Sequence, residues 1–397
     1  MMDKFNKAKP VLQKLIDNGY DVYFVGGCVR DHLLRREIGD VDIATSAKPE
    51  EVMTLFQRTV PTGLQHGTVL VLHDNESYEV TTFRTEDTYL DFRRPNAVNF
   101  VTSINEDLKR RDFSMNAIAM TIDHELIDPF KGEVAINEKL IVTVGKSIDR
   151  FKEDALRMMR AIRFVSQLQF QLDQETKESI SENGYLIEKV AVERILVEFE
   201  KMLLGNGRKE AVNILIETHL EKSLPNLALH NDSLKKFAQL PLNYLETIEE
   251  LWTVLIYKMN LEETGPFLRS WKMSNDRRKS ILLLMDELNN NPSEWTNYDL
   301  YRIGLDKCIK LLRINMVINH SFNSDKLMEL TKRYMSLPIK SSSDLCINGN
   351  DLLSWSNKKG GPWLKETIIL VEKNILENQL ENEMTAIREW FEQWDRQ

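Results

Sequence analysis

The chain has little cysteine: Cys28, Cys308 and Cys346 are scattered through 397 residues, with no Cys-x-x-Cys pair. An odd number at such spacing supports neither a disulfide framework nor a structural zinc site, and free thiols in a reducing compartment follow. Long apolar runs are missing too. The stretch 281–285 falls far short of the roughly 20 residues a membrane span needs, so no membrane partner is expected. The N-terminus is charged and lacks an apolar signal-peptide core, which makes the cytoplasm the expected location. No block rich in Gly, Pro or Ser is long enough to suggest disorder. Positive charge is in deficit, with a net charge of −9. That argues against a surface coated in positive potential, although nucleic-acid binding depends on where basic residues cluster rather than on their sum.

What is present is an ordinary globular composition, 42% hydrophobic and 28% charged, in a chain too long for one core. Up to about residue 145 the texture is mixed. A helical stretch near 5–18 precedes β-branched and aromatic runs at 21–25, 41–45, 68–73 and 78–84. Beyond 146 the strand signals fade. Helical periodicity continues through 153–168, 188–204, 246–260, 277–289 and 364–395, broken by turn formers at 205–207, 289–292 and 337–343. The fold class predicted is α+β, a mixed β-sheet domain followed by an all-helical remainder. No internal repeat is evident.

The first chemical signal is Asp40-Val41-Asp42. Side chains alternate along a strand, so the two carboxylates are expected on one face, where they could hold Mg2+ with phosphate oxygens and water completing its shell. Two such ions could activate an attacking hydroxyl and neutralise charge on a leaving pyrophosphate. Asp-x-Asp is also common at strand ends on any surface. Upstream, Phe24-Val25-Gly26-Gly27 ends an apolar strand in two glycines, letting backbone approach phosphates at Gly27, with Arg30 as a charged clamp. A tight turn explains the same glycines equally well. Glu79 lies in a further strand, either as a third carboxylate at the same centre or as a solvated residue.

These segments, Gly26-Gly27-Cys28-Val29-Arg30-Asp31 and Asp40-Val41-Asp42-Ile43-Ala44-Thr45, resemble the first motif of the class II tRNA nucleotidyltransferases, of the polymerase-beta-like nucleotidyltransferase superfamily. Residues 87–95, 109–117 and 153–164 match further motifs in the family's order, and 192–199 look like its last motif helix. The resemblance implies template-independent addition of C-C-A to tRNA from CTP and ATP. It also implies a catalytic head (1–145), a helical neck that reads the base (146–207), a helical body (208–337) and a tRNA-binding tail (338–397). The oligomeric state stays open, a homodimer among the possibilities.

Without a template, protein groups must select the nucleotide. Asp154 and Arg157, three apart on a predicted helix, would share a face. A carboxylate accepting from an exocyclic amine beside a guanidinium donating to a ring nitrogen admits C and A and rejects U and G. Arg160 and Arg163 continue the basic stripe, with Arg163 expected to face elsewhere, toward the triphosphate. Arg111 and Asn116 are candidates for the sugar or phosphates. Asp112 is both a candidate site residue and a plausible cap for a helix over 113–120. Asp91, Arg93 and Arg94, before Pro95, resemble the flexible loop of relatives that complete the terminal A. Two rivals stand beside this expectation. A bacterial poly(A) polymerase shares the head motifs, but the last stretch, 377–397, lacks that enzyme's basic character. A non-catalytic RNA-binding homologue would not need Asp40, Asp42, Arg111, Asp154 and Arg157.

Overall fold

The computed structural model describes residues 2–86, 98–290, 295–356 and 358–395. Asp91, Arg93 and Arg94 lie outside the described residues. The chain opens with helix α1 (Met2–Asp17), whose Phe5, Ala8, Val11, Leu12 and Leu15 recur at helical spacing and are fully buried. Phe5 meets Phe24 of strand β1 (Val22–Val25) with ring centroids 4.7 Å apart. Helix α2 (Gly27–Leu33) follows, then strand β2 (Asp42–Thr45), helix α3 (Pro49–Leu55) and strands β3 (Thr59–Gly63), β4 (Thr68–His73) and β5 (Glu76–Thr82). A hairpin of β6 (Arg84–Glu86) and β7 (Val98–Phe100) leads to α4 (Ile104–Lys109), and β8 (Ala119–Met120) and β9 (Leu126–Ile127) close the sheet.

The sheet runs β3-β4-β5-β2-β1-β8-β9, parallel only between β2 and β5. Pleating divides its two faces. Phe24, Ile43 and Val80 are buried on one, which α1 and α3 cover. On the other, Val25 and Ala44 form a core with Ile104 and Leu108 of α4, and Asp42 and Glu79 stand side by side at the edge of that core.

Among the described residues after α5 (Gly132–Asn137), regular structure is helical apart from a short pair, β10 (Leu140–Ile141) and β11 (Gln171–Leu172). Helices α6 (Ser147–Glu153), α7 (Leu156–Leu168), α8 (Gln174–Asn183), α9 (Val192–Leu204) and α10 (Arg208–Glu217) follow, with α7 packed along α9 and α10.

The chain forms two compact units: Met1–Gln239 with Pro266–Met273, and Leu240–Gly265 with Ser274–Gln397. The second contains the expected helices as Ile248–Met259 and Asn275–Asn290. The stretch 364–395 is two helices, Trp363–Leu376 and Met384–Trp394, parted where Asn378 takes a left-handed φ of 57°. Inside that unit, Glu250 is fully buried and accepts from Arg313 at 2.8 Å and from the backbone at Thr247.

Two local expectations fail. The segment 113–120 is a single 3-10 turn (Ser114–Asn116) and strand β8, because pairing with β1 claims Ala119 and Met120. The stretch 153–168 breaks between α6 and α7. Asp154 there is extended (φ −141°, ψ 102°), and its own carboxylate accepts from the Leu156 N–H.

Candidate active site

One cavity of about 600 Å3 gathers most of the candidates. Its lining includes Gly26, Gly27, Arg30, Asp42, Arg111, Asp112, Asn116, Asp154, Arg157, Arg160 and Arg163. Arg84, Arg110, Arg194 and Phe164 join them, making eight arginines against three aspartates. Such a wall suits a polyanion.

At one end, Gly26 turns the chain out of β1 with φ 75°. A Cβ there would lie 3.0 Å from Arg111 Nη1 and 3.6 Å from Asp42 Oδ2, so a side chain would strain the backbone and press on the end of the Arg111 side chain. This turn also corrects the carboxylate expectation. β1 pairs with β2 only up to Val25 opposite Asp42, and beyond it Asp40 has no strand to pair with. Asp40 therefore sits in a bend, exposed and outside the cavity lining, and does not share a strand face with Asp42. Glu79 does: it is Asp42's direct partner in the parallel register.

Burial first, and then the like charge of Glu79, push the Asp42 carboxyl up to about 6, against the pull of Arg111. The Asp42 carboxylate, which the like charges of Glu79 and Asp40 both reach, offers oxygens that fit a hard divalent cation even with Arg111 close by. Among the described residues no group of three or more His, Cys, Asp or Glu could hold a metal ion, so substrate oxygens would have to complete its shell. Because folding raises this carboxyl above its ordinary value, its ionised form costs stability above about pH 6, and the cost fades as pH falls toward about 4. Asp42→Asn is accordingly expected to raise the Tm of metal-free protein by several degrees near neutral pH and by less at about pH 4.5. Thermal melts at the two pH values check this, and an unchanged or lower Tm at neutral pH contradicts it.

Arg111 and Arg110 are held from behind by Asp107, which is 1% exposed and accepts from them at 3.2 and 2.8 Å. Burial opposes ionisation of Asp107, but the two guanidinia dominate and hold its carboxyl below the usual range. Asp112 is similarly pulled far down, since Arg160 and Asn116 outweigh its burial. Arg160 donates to it at 2.8 Å, Asn116 donates to it at 3.1 Å, and the Asn116 carbonyl accepts from Arg30 at 2.7 Å. That chain fixes four cavity groups relative to one another.

Phe164 forms the floor, its ring beneath Arg163 at 4.0 Å, Arg30 at 5.2 Å and Arg160 at 5.7 Å. Arg163 thus lines the same cavity as Arg160 instead of facing elsewhere. Glu198 of α9 pairs with it at 2.7 Å, while burial pushes the guanidinium down to about 10.

At the other end, Asp154 and Arg157 both reach the cavity, but from the helix break and the first turn of α7 instead of from one helical face. Asp154 accepts from Arg194 at 2.7 Å, and Arg157 donates to Glu153 at 2.5 Å and to the Arg110 carbonyl at 3.0 Å. Sequence reasoning overlooked Asp107, Glu198 and the pairing role of Arg194. The spacings Asp107/Arg110/Arg111 and Arg194/Glu198 are one-turn helical pairs and carried the signal.

Known proteins resemble the chain in sequence and in fold. Residues 22–142 match the family described as Poly A polymerase head domain, residues 169–230 the "Probable RNA and SrmB- binding site of polymerase A", and residues 244–391 a tRNA nucleotidyltransferase domain 2. The CCA-adding enzyme of Bacillus cytotoxicus is 46% identical over 99% of both chains, and that of Bacillus mycoides 47% identical over 98% of this chain and 99% of its own. The chain belongs to the CCA-adding enzyme family. A crystal structure of the Bacillus stearothermophilus CCA-adding enzyme in complex with CTP superposes with a TM-score of 0.93 at 41% identity, covering 100% of this chain and 98% of that one. Membership makes the chain a nucleotidyltransferase with an N-terminal mixed sheet and a helical remainder, and implies use of a divalent metal in general. No helix among the described residues is long and apolar enough to cross a membrane.

Proposed function

We propose that this protein adds C-C-A to the 3′ end of tRNA from CTP and ATP, one nucleotide at a time, without a template and with release of pyrophosphate. The observation that carries this is the single cavity joining Asp42, beside Glu79, to Asp154 and Arg157 through a wall of arginines. The triphosphate binds along Arg30, Arg111, Arg160 and Arg163, whose charge matches it and whose positions Asp107, Asn116, Asp112 and Glu198 fix. The base meets Asp154, which accepts from the exocyclic amine of C or A, and Arg157, which donates to the adjacent ring nitrogen. Uracil and guanine present the opposite order and leave both groups unpaired.

Asp42 and Asp40 are the groups that would hold Mg2+, with Glu79 acting on Asp42 through its charge. When bound, the ion would lower the charge barrier to attack by the acceptor's 3′-hydroxyl and to departure of pyrophosphate. The chain subdivides on this proposal into head (1–145), neck (146–207), body (208–337) and tail (338–397), the first two within the first compact unit, and the enzyme works in the cytoplasm.

Purified protein given tRNA lacking its C-C-A end is expected to incorporate labelled CTP twice and ATP once, then stop. A poly(A) polymerase would ignore CTP and extend with ATP without stopping, and a non-catalytic homologue would incorporate neither.

A further inference from the structure

A second cavity, of about 170 Å3, adjoins the first and shares Asp42, Arg84, Arg110 and Arg111 with it. Its own wall carries Glu79, Asp107 and two threonines, Thr68 and Thr81. The large cavity has room for a nucleotide, and the small one for a sugar. In phosphoryl transfer the attacking and leaving oxygens lie roughly in line on opposite sides of the phosphorus. If the nucleotide fills the large cavity with its α-phosphate near Asp42, the attacking hydroxyl must come from another side of the same carboxylate. Among the described residues the small cavity is the adjoining space that also offers Glu79.

Thr68 and Thr81 face each other across β4 and β5, and their hydroxyls are 3.1 Å apart. Both are half-buried on the face of the sheet that bears Asp42 and Glu79, while their neighbours Val69, Val80 and Thr82 point into the core. Thr81 lies two residues beyond Glu79 on one strand, roughly 6.6 Å further along that face, about the reach of a ribose from the carboxylates. In the pair one hydroxyl donates to the other, which leaves one proton and several lone pairs for a guest. A 2′-hydroxyl both donates and accepts, and it is the group by which a protein tells RNA from DNA at a given site.

We propose that the Thr68–Thr81 hydroxyl pair reads the 2′-hydroxyl of the terminal ribose of the acceptor RNA, with the small cavity as the acceptor's sugar site. The assignment rests on the transferase function proposed above and adds to it a discriminator for the acceptor strand. A threonine pair across two strands also stabilises a hairpin, so the test needs a readout that stability does not move.

Two acceptors serve: tRNA lacking only its last A and ending in ordinary C, and the same tRNA ending in 2′-deoxy-C with its 3′-hydroxyl intact. With ATP as donor, wild-type enzyme is expected to prefer the ribose end in kcat/KM by about five- to tenfold, the worth of one or two hydrogen bonds. The Thr68→Val/Thr81→Val double variant is expected to lose that preference to within about twofold of unity, with KM for ATP within about twofold of wild type, while Thr81→Ser keeps the preference. If the double variant does not fold, the single Thr68→Val and Thr81→Val variants are read the same way. An equal preference in wild type and valine variants, or none in wild type, overturns the assignment. Extension of neither acceptor by wild-type enzyme would remove the transferase proposal itself; extension of both at equal rates removes only this assignment.

Discussion

Asp42→Ala is expected to lower the rate of nucleotide addition by about a thousandfold or more, because the carboxylate supplies several kcal/mol of charge stabilisation through the metal it would hold. The effect should fall on kcat and spare nucleotide binding. The triphosphate is held by guanidinia on α2, α7 and the segment after α4, which do not depend on Asp42 for position, since Asp107, Asp112 and Glu198 brace them from behind. Removing a negative charge beside Arg111 should leave KM for CTP and ATP unchanged or lower. Asp40→Ala is expected to fall in the same range, since an ion that keeps substrate and water ligands still takes one or two carboxylates from the protein. Glu79→Ala is expected to cost less, about ten- to a hundredfold, because this side chain is exposed and acts on Asp42 mainly through its charge. Single-turnover extension of tRNA lacking C-C-A measures all three. Activity of Asp42→Ala above about a tenth of wild type would remove it from the metal site.

Much of this arrangement was legible in the sequence, and the failures share a cause. Strands over 22–25, 42–45 and 68–73 follow from apolar periodicity, which local sequence carries, and the glycine pair marked a real backbone requirement at Gly26, whose φ is 75°. The misplacements arose where a distant partner decides geometry. Asp40 leaves the strand because β1 ends opposite Asp42, and no spacing within 40–42 encodes where another strand stops. The segment 113–120 looked helical, yet β1 needed an edge partner and took Ala119 and Met120. Asp154 breaks a helix because its side chain binds its own backbone and Arg194, forty residues away. Asp107 drew no reading from the sequence; only the fold shows it buried beneath two arginines of the site.

The same ion pairs shape the second large effect, on base choice. Asp154→Ala and Arg157→Ala are each expected to reduce the preference for CTP over UTP, in kcat/KM, by about a hundredfold or more, because the group that penalises the wrong base is gone. In this structure neither residue waits unpartnered. Arg194 orients the Asp154 carboxylate, and Glu153 and the Arg110 carbonyl hold Arg157. A carboxylate has about four acceptor positions, so a base amine can join Arg194 on Asp154 without expelling it. Arg194 then acts as a positioning residue. Arg194→Ala should weaken discrimination by about tenfold and Arg194→Lys by less, since a lysine keeps the charge but loses the two-pronged grip. Competition between CTP and UTP for tRNA lacking C-C-A reads each ratio. Should both Asp154→Ala and Arg157→Ala still reject UTP as wild type does, base choice resides elsewhere in the cavity. Discrimination lost on Arg194→Ala with both other variants unaffected would place it on α9 instead.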